Sequence, residues 1–280
     1  MKKFIWKIIR KFKKADFQNF KLSEKDITDI KELLKSYPKI LPADKSLDLL
    51  LKHPEKSLIR MGDCEIALMN GEDSFSNDYD PKLAYRLCQI VKDVNNKKFY
   101  LGLKILSFET KNFFISKNFL INGRNKNLKP LFEKRKNDTI LNAWVNSVHM
   151  HGTNKIPLIK KLWEKKDIVF ITGKNSSFKY IDFFFDNAKS INFEYGLNFN
   201  AFDDMDNLFN KCCKYPKETL FIVALGPTGS VISYDLINKG YKVLDLGGFT
   251  TRYLTQEYGF ISAENHLENV RIKRGRNAKI

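Results

Sequence analysis

From residue 166 onward the chain alternates short apolar runs with longer amphipathic ones. DIVFITG (167–173), SINFEYG (190–196), TLFIVALG (219–226) and YKVLDLGG (241–248) have the length and the β-branched and aromatic content of strands. FKYIDFFFDNA (178–188), DDMDNLFNKCCK (203–214) and SVISYDLINKG (230–240) carry helical spacing, the last ending at Gly240. Strands that are apolar throughout are buried on both faces, and strand–helix alternation makes them parallel. The pattern predicts an α/β fold: a Rossmann-like, mostly parallel sheet covered by helices on both faces.

Upstream the pattern is less regular. Helices are expected over 23–37 with Ser23 as cap, over 42–53, and over 81–94 with Pro81 in its first turn. SLIRMG (57–62) and KFYLGLKILSF (98–108) read as strands, and 109–165 as mostly helical. The first fourteen residues, MKKFIWKIIRKFKK, place Phe4, Ile5, Ile8, Ile9 and Phe12 on one helical face with basic residues over most of the remainder. No Gly/Ser- or Pro-rich linker interrupts the chain. The expected organisation is a basic amphipathic helix (1–20), one α/β domain (21–265) and a basic tail (266–280).

Charge sharpens that division. The net charge is +17 over 280 residues, but 1–14 hold seven basic side chains and 271–280 five, neither with an acid; removing those twelve leaves +5 for the body. The basicity belongs to the ends. An amphipathic basic helix suits the headgroup region of an anionic membrane surface, and equally a terminal helix packed on its own domain. Nucleic acid is not expected as a partner, because the body has no aromatic-interleaved basic groove and no binding motif. No apolar run reaches a membrane span. The four cysteines, Cys64, Cys88, Cys212 and Cys213, form no C-x-x-C pair and no disulfide framework, which suits reduced thiols and a cytoplasmic location, with peripheral attachment to the inner face of the membrane if residues 1–14 bind lipid.

In a parallel sheet, ligands bind beyond the carboxyl ends of the strands. Those loops fall at 60–65, 172–177, 196–200, 226–230 and 247–252. ALGPTGS leads from a strand through Gly226, Pro227, Thr228 and Gly229 into a helix, a geometry suited to phosphate on backbone N–H groups, although neither G-x-x-x-x-G-K-[ST] nor G-x-G-x-x-G is present. Asp245 follows Gly226 by 19 residues, where a ribose-binding acid would stand, and serves equally as a structural acid. In KSLIRMGDCEIALMNGE, Asp63 and Glu65 follow the strand end one residue apart. Converging on one ligand requires an extended or turned seam, and a pair of that kind with substrate phosphates would hold Mn2+ or Mg2+. Arg60 could offer a fork to a phosphate and Gly62 a close backbone approach. In the competing reading Asp63 caps the following helix and Glu65 is a first-turn acid favoured by the dipole. His149 and His151 lack any metal-binding spacing and read as polar loop residues, His151 being at most a candidate base.

LIRMGDCEIALMNG resembles the RFGDGE signature of the bacterial GT-D type glycosyltransferases. LFIVALGPTGSVISYDLINKGYKVLDLGGF is similar to that family's LGPTA…LAYDL…GY…DIGH ending, and DNAKSI…NAF to its middle, so the resemblance runs in family order from Ser57 to Tyr253. It implies a hexosyltransferase moving a sugar from a nucleotide-sugar, UDP-linked by expectation, to a lipid- or protein-linked oligosaccharide of a bacterial surface. Asp63 and Glu65 become the catalytic, metal-binding pair. Arg60, Gly62, Gly173, Lys174, Gly226, Pro227 and Thr228 become the donor-binding set.

Three segments depart from the family pattern. Cys64 replaces the signature's second glycine. TGKNSSFKYIDF replaces a Gly- and Arg-containing stretch, with Ser177 at the arginine and Lys179 at a glycine. DLGGFTTRYL replaces DIGHIDIEYEW, with Gly248 at the histidine and Arg252 at an acid. Lys174, Arg252 or the His149/His151 pair could compensate for the lost groups. The departures motivate a second expectation, a catalytically silent sugar-nucleotide- or polysaccharide-binding subunit of a membrane-associated assembly. A Rossmann-type NAD or S-adenosylmethionine enzyme, resting on Gly226 and Asp245 alone, ranks last.

Overall fold

The computed structural model describes residues 28, 35, 37–74, 76–93, 97–103, 129–145, 151–174, 176, 178 and 180–250. The helices expected over 1–20 and most of 23–37, the tail, His149, Ser177, Lys179 and Arg252 lie outside the described residues.

Within them, seven strands form one sheet: β1 (Ser57–Met61), β2 (Phe99–Leu103), β3 (Leu141–Asn142), β4 (Asp167–Gly173), β5 (Ser190–Gly196), β6 (Leu220–Ala224) and β7 (Lys242–Asp245). Their order is β3-β2-β1-β7-β6-β4-β5, and every neighbouring pair is parallel. The helices between them are α1 (Ala43–Lys52), α2 (Asp63–Met69), α3 (Pro81–Lys92), α4 (Lys129–Glu133), α5 (Ile156–Lys160), α6 (Asp182–Phe185), α7 (Met205–Cys212) and α8 (Gly226–Asn238).

Strand side chains alternate between two cores. Ile59, Met61, Leu101, Val169, Ile171, Phe221, Val223 and Val243 face one side and pack with α2, α3, α7 and α8. Leu58, Tyr100, Ile168, Phe170, Ile222 and Leu244 face the other and pack with α1, α5, α6 and Trp163. This is the period-2 geometry of a strand, with both faces covered. The helices sort by direction of travel across the sheet. Connections β1→β2, β5→β6 and β6→β7 move one way and share the first face. Connections β3→β4 and β4→β5 move the other way and use the second. A single crossover hand requires that sorting.

Several boundaries differ from the sequence expectation. The stretch expected to be mostly helical, 109–165, contains strand β3, whose two residues pair with Gly102 and Leu103 at the sheet edge. A strand so short has no periodicity to read. The helix expected over 178–188 is the single turn α6, preceded by an extended segment. Helix α8 begins four residues earlier than Ser230, at Gly226, so the Gly-Pro-Thr-Gly run forms its first turn instead of a loop.

Candidate functional site

The carboxyl ends of β1, β7 and β6 lie side by side, and the chain leaves them on different faces. After β1 it turns into α2, and after β6 into α8; these helices pack together on the first face. After β7 it carries Phe249 into the second core, against Trp163 and Phe184. The end of β7 is thus a crevice flanked by two helix starts, each about one strand spacing, ~4.8 Å, to either side. Ser230 on α8 donates from Oγ to the Arg60 carbonyl at 2.9 Å, tying the two walls.

On the β1 side the backbone turns helical at once. Gly62 is the N-cap in extended conformation, Asp63 the first helical residue and Glu65 the third. The extended seam on which the two acids would converge is not present; at i, i+2 within one turn they leave the helix in different directions, and only the folding back of Glu65 toward Gly62 returns its carboxyl to the helix start, where the Asp63 charge acts on it. Asp63 does not cap; the residue before it does. Glu65 folds back so that its Oε2 accepts the Gly62 N–H at 2.6 Å. That is half of a capping box, since glycine has no side chain to return the bond. Asp63 is half-buried, whereas Glu65 is 8% exposed. Burial, the neighbouring Asp245 charge and the Asp63 charge push the Glu65 carboxyl up to about 7 against the pull of the Gly62 N–H. Among the described residues no cation pairs with Glu65.

Arg60 is committed within the protein. Its Nε and Nη2 donate to Asp245 Oδ1 at 3.3 Å, its backbone N–H to Asp245 Oδ2 at 3.2 Å, and Nη1 to the Ala143 carbonyl at 3.0 Å. The guanidinium also lies over the Trp144 ring. Its fork is therefore spent on β7 and on the segment after β3, not offered to a ligand. Asp245 takes the structural alternative: both oxygens serve Arg60, although burial still raises its carboxyl above the usual range. Gly247, at φ +52°, has its missing side chain's place filled by Arg60 Nη2, whereas a side chain at Gly248 would meet no atom of the described residues within 4 Å. Among them, the position where the resembling family carries histidine is open.

On the β6 side Gly226 adopts φ +57° with Pro227 second in the helix, so amides of the first turn point out of α8 toward the sheet end. Thr228 is fully buried and its Oγ1 has no hydrogen-bond partner. Ser76 Oγ is also unpartnered and sits 2.6 Å from where a Gly226 side chain would begin. Ser76 comes from the loop after α2, which is held across the edge by the Asn200 N–H to Ser76 carbonyl bond and by Asp78 N–H to Asn200 Oδ1. No local pattern marks Ser76; only the long-range contact singles it out.

The remaining candidates sit farther off. Gly173, ending β4, abuts Asn198, whose Oδ1 lies 2.5 Å from a notional Cβ, so its small size serves packing. Lys174 is exposed. His151 engages Asp44 Oδ1 through Nδ1 at 2.7 Å and the Val145 carbonyl through Nε2, leaving neither nitrogen to act as a base. Among the described residues no three His, Cys, Asp or Glu side chains cluster as a protein-only metal site.

Known proteins share this chain's family and fold. A family model described as "Glycosyltransferase GT-D fold" matches residues 58–259. "Probable glycosyl transferase Gly" of Streptococcus gordonii is 26% identical across 76% of this chain and 32% of its own length. "Glycosyltransferase GlyD" of Streptococcus pneumoniae is 25% identical across 77% of this chain and 27% of its own. The chain thus spans about a third or less of these relatives. A solved structure described as "The highly conserved domain of unknown function 1792 has a distinct glycosyltransferase fold" superposes with TM-score 0.70 at 28% identity, covering 84% of this chain and 86% of that one. "A New Glycosyltransferase (DUF1792) from Streptococcus sanguinis", with TM-score 0.64, 24% identity and coverage of 82% and 92%, shares the fold.

Proposed function

The chain belongs to the GT-D-fold glycosyltransferase family, and from that premise we propose that it moves a hexosyl group from a nucleotide-sugar, a UDP-sugar first, to a lipid- or protein-linked surface oligosaccharide. The observation that carries this reading is the open end of β7 at Gly248, flanked by the acids of α2 and the amino end of α8. A diphosphate spanning that gap meets backbone N–H groups and a positive helix end on one side. On the other side it meets two carboxylates, which repel it unless a cation intervenes.

The donor set fits such a cation. Hard divalent ions in nucleotide sites use one or two carboxylates and complete their shell with phosphate oxygens and water, so a three-residue cluster is not required. Asp63 offers a half-exposed carboxylate, and Glu65 a buried one that burial and the Asp245 charge push up to about 7, so a cation beside it would favour its ionised form. Mn2+ or Mg2+ held there would act as a Lewis acid, neutralising charge on the leaving diphosphate. Asp63 and Glu65 hold the ion, and the amides of Gly226 and Thr228 orient the phosphates. The Arg60–Asp245 pair keeps β1 and β7 in register beneath them, a positioning role.

Release of UDP from a panel of UDP-sugars, with an oligosaccharide acceptor and Mn2+, tests the proposal. Asp63→Asn and Glu65→Gln are each expected to lower turnover by about 100-fold or more, with melting temperatures close to wild type. Wild-type rates in either variant contradict it. Nucleotide binding without turnover of any donor by the wild type would leave a binding-only subunit.

A further inference from the structure

The segment TGKNSSFKYIDF, where this chain leaves its family's pattern, builds an aromatic surface that the donor site does not use. After β4 the chain crosses the second face of the sheet and lays Phe178 and Tyr180 against Phe170, with centroids 5.4 and 5.9 Å apart. Tyr180 also meets Phe193 edge-on at 5.7 Å, and Phe193 and Tyr195 lie parallel, 8° between planes and 5.8 Å apart. Phe178 is buried beneath, while Tyr180 is 38% and Tyr195 45% exposed, followed by Leu197 at 46%. These rings run along β5, the sheet's edge strand, to its carboxyl end.

We infer that Tyr195 and Tyr180, backed by Phe193, form an acceptor subsite, a platform on which sugar rings of the acceptor glycan stack. The inference deepens the proposed function and rests on it. Three features select a glycan as occupant. First, the platform reaches the same edge of the sheet as the candidate site: Tyr195 is level with Thr172 and Thr172 with Ala224, two residues before Gly226, while β7 lies three strand spacings, about 15 Å, from β5. A chain several sugars long reaches from one to the other. Second, the platform is open and elongated, whereas a nucleobase is held in a closed slot. Third, the described charged groups beside Tyr180 are acidic or paired. Tyr180 Oη donates to Asp182 Oδ1 at 2.9 Å, and Lys160 pairs with Asp186. Flat aromatic faces edged by phenolic hydroxyls complement a neutral ligand with apolar ring faces and a hydroxyl rim, not an anionic lipid surface.

The test uses the full chain on an array of bacterial surface oligosaccharides of one to six sugars, with and without UDP and Mn2+. At least one glycan class should be retained, more strongly as length increases, with apparent affinity falling tenfold or more in Tyr195→Ala and persisting in Tyr195→Phe. Tyr180→Ala should weaken the same class. Retention of no glycan, or equal retention by wild type and Tyr195→Ala, overturns the inference, as does a Tyr195→Ala defect confined to UDP binding. UDP binding measured alone reports the donor site separately. A protein that binds glycan but no nucleotide fails the proposed function and not the platform.

Discussion

A carboxylate as buried as Glu65 needs a partner to stay charged, and backbone N–H groups alone, those of Gly62 and of Glu65 itself, leave it near 7. Arg60 and Asp245, a few side chains away, illustrate the opposite case: a buried pair with nearly every polar atom matched, which breaking would cost about 3–5 kcal/mol because it strands a charge. Among the described residues the arginine beside the site, Arg60, is taken by Asp245 and no cation pairs with Glu65, an arrangement suited to a site that recruits its own cation. Lys242, at the opposite end of β7, is a buried charge without that use. Burial lowers its pKa from 10.5 to about 8. A lysine depressed in the fold binds fewer protons folded than unfolded between pH 8 and 10.5, so stability rises with pH across that window and is insensitive to this group below it. Lys242→Met should be more stable than wild type by on the order of 2 kcal/mol at pH 7. That advantage should shrink toward pH 10.5 in urea melts, and a difference constant with pH would contradict the assignment.

Helices α2 and α8 carry the site, and each starts where a glycine permits it. Gly226 combines φ +57° with contact to Ser76, so Gly226→Ala should cost about 1–3 kcal/mol in urea unfolding. Adding Ser76→Gly should recover the steric part and leave the backbone part; full recovery, or none, would show that only one of the two operates. Strands of the sheet were legible in the sequence where burial on both faces writes an apolar run, as in β4, β6 and β7. The acids at the β1 seam were legible by residue type, but their disposition was not. Whether Asp63 caps or begins the helix depends on the conformation of Gly62, which composition does not determine. Likewise Arg60 reads as a phosphate fork until Asp245, 185 residues away, is seen to occupy it. Ser76 and strand β3 were invisible for the same reason: each is defined by a long-range partner and not by a local period.

At the scale of the molecule, the strand order does the work of assembly. β7, late in the chain, inserts between β1 and β6 and brings the two motifs of the resemblance, residues 60–65 and 224–229, to either side of one crevice. No helix among the described residues is long and apolar enough to cross a membrane. Contact through residues 1–14 remains our proposal. The central claim is that the two walls around Gly248 bind a nucleotide diphosphate through a cation on Asp63 and Glu65. The most direct measurement is the thermal midpoint of the full chain with UDP, with and without Mn2+, in wild type and Asp63→Asn, since a ligand that binds only the native state raises the midpoint. The account predicts a rise with UDP that requires Mn2+ and disappears in Asp63→Asn. No rise in the wild type, or an equal rise in the variant, would contradict it.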